Sequence, residues 1–282
     1  MKKSTAMLST LVALALVSSL AAYAADQTAT SGTSEAKAPT LVDKLKASYS
    51  ATFYGPSITN PVGSLQPDSW TGDGSSPLVL KNKVYLGYKF TKDIALGPVF
   101  YWKNYTREKQ FILQDPYVKL THNKLYTNDK FNIYGELDVS APVSTQSRND
   151  KLITSVTGRL DPSYQIGSSR FSLYMCAAAT ANIYAASTPA KTAGKLNRYT
   201  FYAGPALNYQ IRSNLTAFVL YELNAKYTNA NGFEDDGTDL EPGISWDITK
   251  NLNFSPALDI KTGNRISLGT TSFIASLSWK LL

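Results

Sequence analysis

Histidine occurs once in this chain, at His122, and cysteine once, at Cys176. A single cysteine leaves no disulfide to form within the chain, so Cys176 reads as a small packed residue. Lysine and arginine never gather into a run, which argues against a nucleic-acid partner. No cluster of metal ligands, no glycine-rich phosphate loop and no nucleotide motif is present, so no cofactor or metal is expected. Beyond the first residues no segment approaches the roughly 20 apolar residues of a transmembrane helix, and long helical periodicity is missing as well.

The N-terminus reads as a signal peptide over residues 1–24. Lys2 and Lys3 precede an apolar run from Met7 to Val17, and Ala22 and Ala24 place small residues where a signal peptidase cuts. The run is too short for a membrane anchor, and no cysteine follows it to carry a lipid. Removal of Lys2 and Lys3 takes the formal charge from +7 to a mild +5. Residues 25–44 follow as a flexible tether, mostly Thr, Ser, Ala and Lys, which cannot bury enough surface to fold. Its last residues, from Thr40, have the pattern of a short amphipathic turn: an ordered lead-in, with a plug in the barrel as the other reading.

What remains, residues 45–282, is rich in aromatics yet polar on average: 18 Tyr, 11 Phe and 4 Trp with a mean hydropathy of -0.19. A recurring hairpin organises it. Tyr88, Phe90, Thr91, Lys92 and Asp93, followed by Pro98 and Phe100, are echoed by Trp246, Ile248, Thr249, Lys250 and Asn251, followed by Pro256 and Leu258. Each reads as an alternating strand, a tight polar turn and a returning strand. Tyr209 to Leu215 and, more loosely, Tyr164 to Phe171 repeat the pattern. Alternation predicts twelve strands, at 47–58, 80–90, 94–105, 111–121, 131–141, 152–166, 170–184, 198–211, 215–227, 238–248, 252–262 and 267–281. Short connections such as 91–93, 167–169, 212–214 and 249–251 alternate with longer ones at 59–79, 143–151, 185–197 and 229–237, and 122–130 is a longer member of the short set.

An even strand count, alternating faces, and short turns opposite long loops resemble the bacterial outer-membrane β-barrels, porin-like in form. The last strand adds to the likeness: Phe273, Ala275, Leu277, Trp279 and Leu281 alternate with polar positions as in the segment that the barrel assembly machinery reads, although Leu282 ends the chain out of phase. The resemblance implies an all-β fold, a transmembrane antiparallel up-and-down barrel of about 12 strands. It implies a Gram-negative outer membrane, with lipid and lipopolysaccharide around the wall.

In such a barrel the charged phase must face inward, because a lipid-facing Lys at the midplane costs roughly 2–4 kcal/mol. That phase predicts a pore lining of Lys83, Lys89, Lys103 and Tyr101 with Tyr85, then Glu136, Asp138, Arg159 and Asp161, then Glu222, Lys226, Glu241, Asp247, Asp259 and Lys261. The second and third strands are basic and the ninth to eleventh mainly acidic, so a transverse field is expected. The interior of a twelve-stranded barrel is either an open or gated pore, or closed by salt bridges between these side chains. The first gives a channel for passive diffusion of small hydrophilic solutes. The second gives a non-conducting structural or adhesive barrel acting through its loops.

Enzymes built on outer-membrane barrels need a histidine beside a serine or carboxylates near the outer leaflet. His122 is placed at the opposite end, so the chain is not read as an enzyme. Two loops carry weaker readings: the acidic run Gly232 to Asp236 as a solvated loop or Ca²⁺ site, and Pro67 to Gly74 with Trp70 as a constriction. Pro98, Pro205, Pro242 and Pro256 fall on the apolar phase, each implying a bulge or kink.

Overall fold

The computed structural model describes residues 40–63, 65–67, 75–106, 109–188, 193–262 and 266–282. The signal-peptide reading and most of the tether therefore lie outside the described residues. At residue 40 the chain enters one helical turn, α1 (Leu41–Lys44), capped reciprocally by Thr40 and Asp43. The Thr40 hydroxyl and amide donate to Asp43 Oδ2 at 2.7 and 2.8 Å. Those bonds hold the Asp43 carboxyl below the usual carboxylate range. Leu41 and Val42 stay 68% and 62% exposed, so this turn packs no apolar side chain against the barrel.

The strands follow in order: β1 (Leu45–Ser57), a small hairpin β2 (Leu65–Pro67) and β3 (Ser75–Pro77), β4 (Val79–Lys89), β5 (Ile94–Tyr105), β6 (Gln110–Leu113), β7 (Tyr117–Thr127) and β8 (Phe131–Ser140). A short helix α2 (Thr145–Asn149) precedes β9 (Leu152–Gln165), β10 (Phe171–Tyr184), β11 (Asn197–Arg212), β12 (Leu215–Thr228), β13 (Gly232–Thr249), β14 (Leu252–Lys261) and β15 (Thr271–Lys280). Sequential strands pair antiparallel, and β1 closes the sheet by pairing both β4 and β15. β6 and β7 both lie against β5, at its two ends, and together fill one strand position. The result is a closed antiparallel barrel of twelve strands.

The echoed hairpin is explained by its threonine. Thr91 Oγ1 accepts from the amides of Asp93 and Ile94 at 3.2 and 3.0 Å, and Thr249 Oγ1 accepts from Asn251 and Leu252 at 3.2 and 3.1 Å. A side-chain acceptor two and three residues back closes the turn without a backbone partner. Asn128 does the same for Lys130 and Phe131 at 3.0 and 2.8 Å.

Three boundaries differ from the sequence reading. The strand expected at 111–121 is interrupted at Asp115 and Pro116 and continues as β7 to Thr127, with a register shift between His122 and Tyr126 that takes up the extra residues. The turn expected at 122–130 is therefore only 128–130. The acidic run Gly232 to Asp236 is strand, not loop, because β13 starts at Gly232 after a tight turn. Asn224 pairs Gly237 while Ala225 pairs Asp235, so Asp236 is the extra residue of a bulge, with Gly237 at φ +127°.

The prolines do not bulge the wall. Pro98 pairs Val118 on one side, while on the other the ladder skips from Tyr85↔Val99 to Tyr88↔Leu96 in unchanged register. Pro205, Pro242 and Pro256 behave alike, pairing Met175, Val219 and Ala275 and leaving a gap on the opposite side. Proline lacks one donor, so it interrupts one ladder only. Glycine stands beside several of these gaps: a Cβ on Gly97 would lie 1.8 Å from the Leu86 carbonyl oxygen, so that position admits no side chain.

The outer face is apolar and exposed, with Leu86, Phe100, Leu173, Val219 and Leu223 each more than a third accessible. Its aromatics fall in two bands. Near the short turns stand Tyr88 with Phe90, Tyr126 with Phe131, and Phe171 with Tyr209. Near the loops stand Trp102 with Phe111, and Tyr199, Tyr227, Phe201 and Phe233 in contact.

Candidate functional site

Alternation sends every second residue inward, and the inner set carries the charge. On β4 and β5 these are Lys81, Lys83, Tyr101 and Lys103, paired Lys81↔Lys103 and Lys83↔Tyr101. Three ammonium groups so close would repel, and aromatic faces are their neighbours. Lys81 sits over the Tyr54 ring at 4.0 Å, and Lys83 and Lys103 approach the Tyr101 ring at 5.5 and 5.9 Å. None of the three has a carboxylate partner among the described residues.

The β7–β9 wall is paired within itself. Lys119 Nζ meets Glu136 Oε1 at 2.8 Å, and Tyr134 donates to the other Glu136 oxygen at 2.7 Å. Arg159 forks onto Asp161 at 2.8 and 2.6 Å and reaches the Tyr174 hydroxyl at 3.2 Å. A bidentate guanidinium contact fixes both side chains against the wall. Asp138 stands beside Lys119 across the ladder, with one carboxylate oxygen buried and without a partner among the described residues.

The β12–β14 wall is acidic. Glu222 pairs Asp239, and Asp239 pairs Lys261. Tyr202 donates to Glu222 at 2.5 Å; Lys261 bridges Asp259 at 2.8 Å and Asp239 at 3.2 Å. Glu241, on the same face, has no partner among the described residues. Of these four carboxylates, Lys261 meets two.

Three of the expected lining residues sit at the rims. Lys89 reaches back to the Asp43 carbonyl at 3.1 Å, at the turn end, and Lys226 pairs Asp236 at 2.6 Å, at the loop end. Asp247, also near the turns, accepts from Asn253 at 2.8 Å. The sequence reading passed over Lys81, Lys119, Tyr134, Tyr174, Tyr202 and Asp239. Lys81 and Asp239 were legible, being two residues from Lys83 and Glu241; Lys119 needed the true course of β7.

His122 faces outward, paired with Ile94 and Gly135, and its Nδ1 accepts from the Lys124 amide at 3.3 Å. It lies on the other face of the wall from Glu136, whose neighbour Gly135 it pairs. The segment 68–74, with Trp70, lies outside the described residues. At the loop end Asp115 holds the 141–151 loop: it accepts from the Ser144 amide at 2.6 Å and from the Ser147 hydroxyl, while Ser144 caps α2.

No protein-family model and no curated protein matches the sequence. Solved structures do match. An outer-membrane channel from Pseudomonas putida F1 aligns over 89% of this chain and 99% of its own, at 10% identity and a TM-score of 0.53. The NanC porin aligns over 84% and 100% at 9% identity with a TM-score of 0.49, and the KdgM porin over 84% and 99% at 11% with 0.46. At such identities the likeness is one of fold. The chain therefore has the fold of that outer-membrane channel, a closed antiparallel barrel of twelve strands.

Proposed function

We propose that this barrel is an outer-membrane channel through which small hydrophilic solutes diffuse passively. The observation that carries the reading is that interior charges midway along the strands remain accessible to water. Lys83, near the centre of β4 and on the inner face, is exposed, and the Arg159 side chain is 35% accessible. A closed, salt-bridged core would bury both. The ion pairs among the described residues run along one wall or between neighbouring strands, and none joins the β4–β5 lysines to the β12–β14 carboxylates. The two aromatic bands support a bilayer around the wall, since such girdles sit at both interfaces. On this reading the signal peptide carries the chain across the inner membrane of a Gram-negative cell. The barrel assembly machinery then inserts it among outer-membrane lipid and lipopolysaccharide. The chemistry is passage, not catalysis.

Thiol accessibility tests the open interior. In a Cys176→Ala background, Lys83→Cys should react with a charged, membrane-impermeant methanethiosulfonate in intact proteoliposomes, and Phe100→Cys, on the outer face, should not. Protection at position 83 equal to that at 100 would contradict an aqueous interior.

A further inference from the structure

The interior carries two unlike walls whose charges are not spent on each other, and this identifies a class of solute. The inference rests on the channel reading above. Lys81, Lys83 and Lys103 present ammonium groups on β4 and β5, seated on tyrosine rings with no carboxylate partner among the described residues. Glu222, Asp239, Glu241 and Asp259 present carboxylates on β12, β13 and β14, with Lys261 alone among them. In the strand order of the barrel, β5 and β12 are diametrically placed, six positions apart in either direction around twelve. The other strands of the two walls stand three to five positions apart, and no direct ion pair joins the walls among the described residues.

The acidic carboxylates differ in access. Asp259 is 3% exposed, and its Oδ2 receives Lys261 at 2.8 Å and the Ser272 hydroxyl at 3.4 Å, so it is held within the wall. Glu222 and Glu241 are only half-buried, and neither meets a lysine or arginine among the described residues. An ammonium group has three donors to offer them.

We propose that the interior favours zwitterionic solutes, of the amino-acid and short-peptide class, with the ammonium group against Glu222 and Glu241 on the acidic wall and the carboxylate against the Lys81, Lys83 and Lys103 wall. A simple anion meets one attractive wall and one repulsive one, and a simple cation likewise. A molecule carrying both charges satisfies both walls when it lies across the barrel, and a neutral molecule of equal size gains from neither.

Four probes on one carbon skeleton test this with the purified full chain in proteoliposomes: 4-aminobutyrate, 4-hydroxybutyramide, 4-hydroxybutyrate and 4-aminobutanamide. The zwitterion should enter at least about threefold faster than the neutral amide, a modest factor because water and salt screen such contacts. Glu222→Gln with Glu241→Gln should bring that ratio close to one. Lys81→Met with Lys83→Met should do the same from the other side, and serves if the acidic-wall variant does not fold. Equal entry of zwitterion and neutral amide through barrels that conduct salt overturns the inference and leaves the channel intact. A zwitterion preference that survives both double variants overturns the assignment to these walls. Folded barrels that pass neither salt nor any probe overturn the channel reading itself.

Discussion

Ala177 and Ala178 are neighbours near the middle of β10 that face opposite media, and a lysine at each separates the two faces energetically. Ala177 lies on the outer face between Leu160 and Ala203; Ala178 lies on the inner face between Arg159 and Tyr202. In a bilayer, Ala177→Lys places an ammonium group against hydrocarbon, at roughly 2–4 kcal/mol near the midplane. That is a loss of ~30- to ~700-fold in the folding equilibrium, at ~1.4 kcal/mol per tenfold. Ala178→Lys meets the directly opposed Arg159, a like-charge pair in a water-accessible interior, which costs less than ~1 kcal/mol. Urea-driven folding into phospholipid vesicles, followed by tryptophan fluorescence and heat-modifiable gel mobility, measures both. The outer substitution should lose more stability by at least ~1 kcal/mol. An inner lysine as costly as the outer one would refute the assignment of faces, and with it the water-filled interior.

Other expectations follow from individual contacts. Lys119→Met leaves Glu136, whose side chain is 7% exposed, with only Tyr134, and should cost about 1–3 kcal/mol in the same folding assay, largely recovered by adding Glu136→Gln. Asp115→Ala removes both acceptors that hold Ser144 and Ser147, so protease cleavage within 141–151 should accelerate while the heat-modifiable barrel persists. The Thr40 bonds depress the Asp43 carboxyl, so the α1 cap is complete above the ordinary carboxylate range and is lost as pH falls through the lowered value. Carboxyl titration by NMR in detergent should show Asp43 below its usual range, and Thr40→Ala should return it there.

Much of the barrel was legible because alternation is forced by a wall with unlike faces: one slip of register turns every side chain over. The echoed turns were legible for a local reason, since Thr91 and Thr249 close their hairpins with their own hydroxyls. What was hidden depended on neighbours. β7 continues past His122 because the register shift before Tyr126 lets it pair with β8 down to Thr127, and no single-strand pattern announces that. The acidic run at 233–236 looks like a loop by composition, yet pairing with Tyr227, Lys226 and Ala225 makes it strand. The prolines suggested bulges, but each needed only a donor-free place beside one neighbour. The alternating phase put Lys83, Glu222 and Asp259 in the expected lining. Their contacts depended on register: Tyr101 meets Lys83 and Tyr202 meets Glu222 across neighbouring strands, Tyr54 meets Lys81 from β1, and Lys261 folds back on Asp259 two residues away.

Single-channel recording of the folded barrel in a planar lipid bilayer tests the central claim most directly. The account predicts stable unitary conductance steps whose ion preference moves toward cations in Lys83→Met and toward anions in Glu222→Gln. Silence from protein shown by gel mobility to be folded would contradict it.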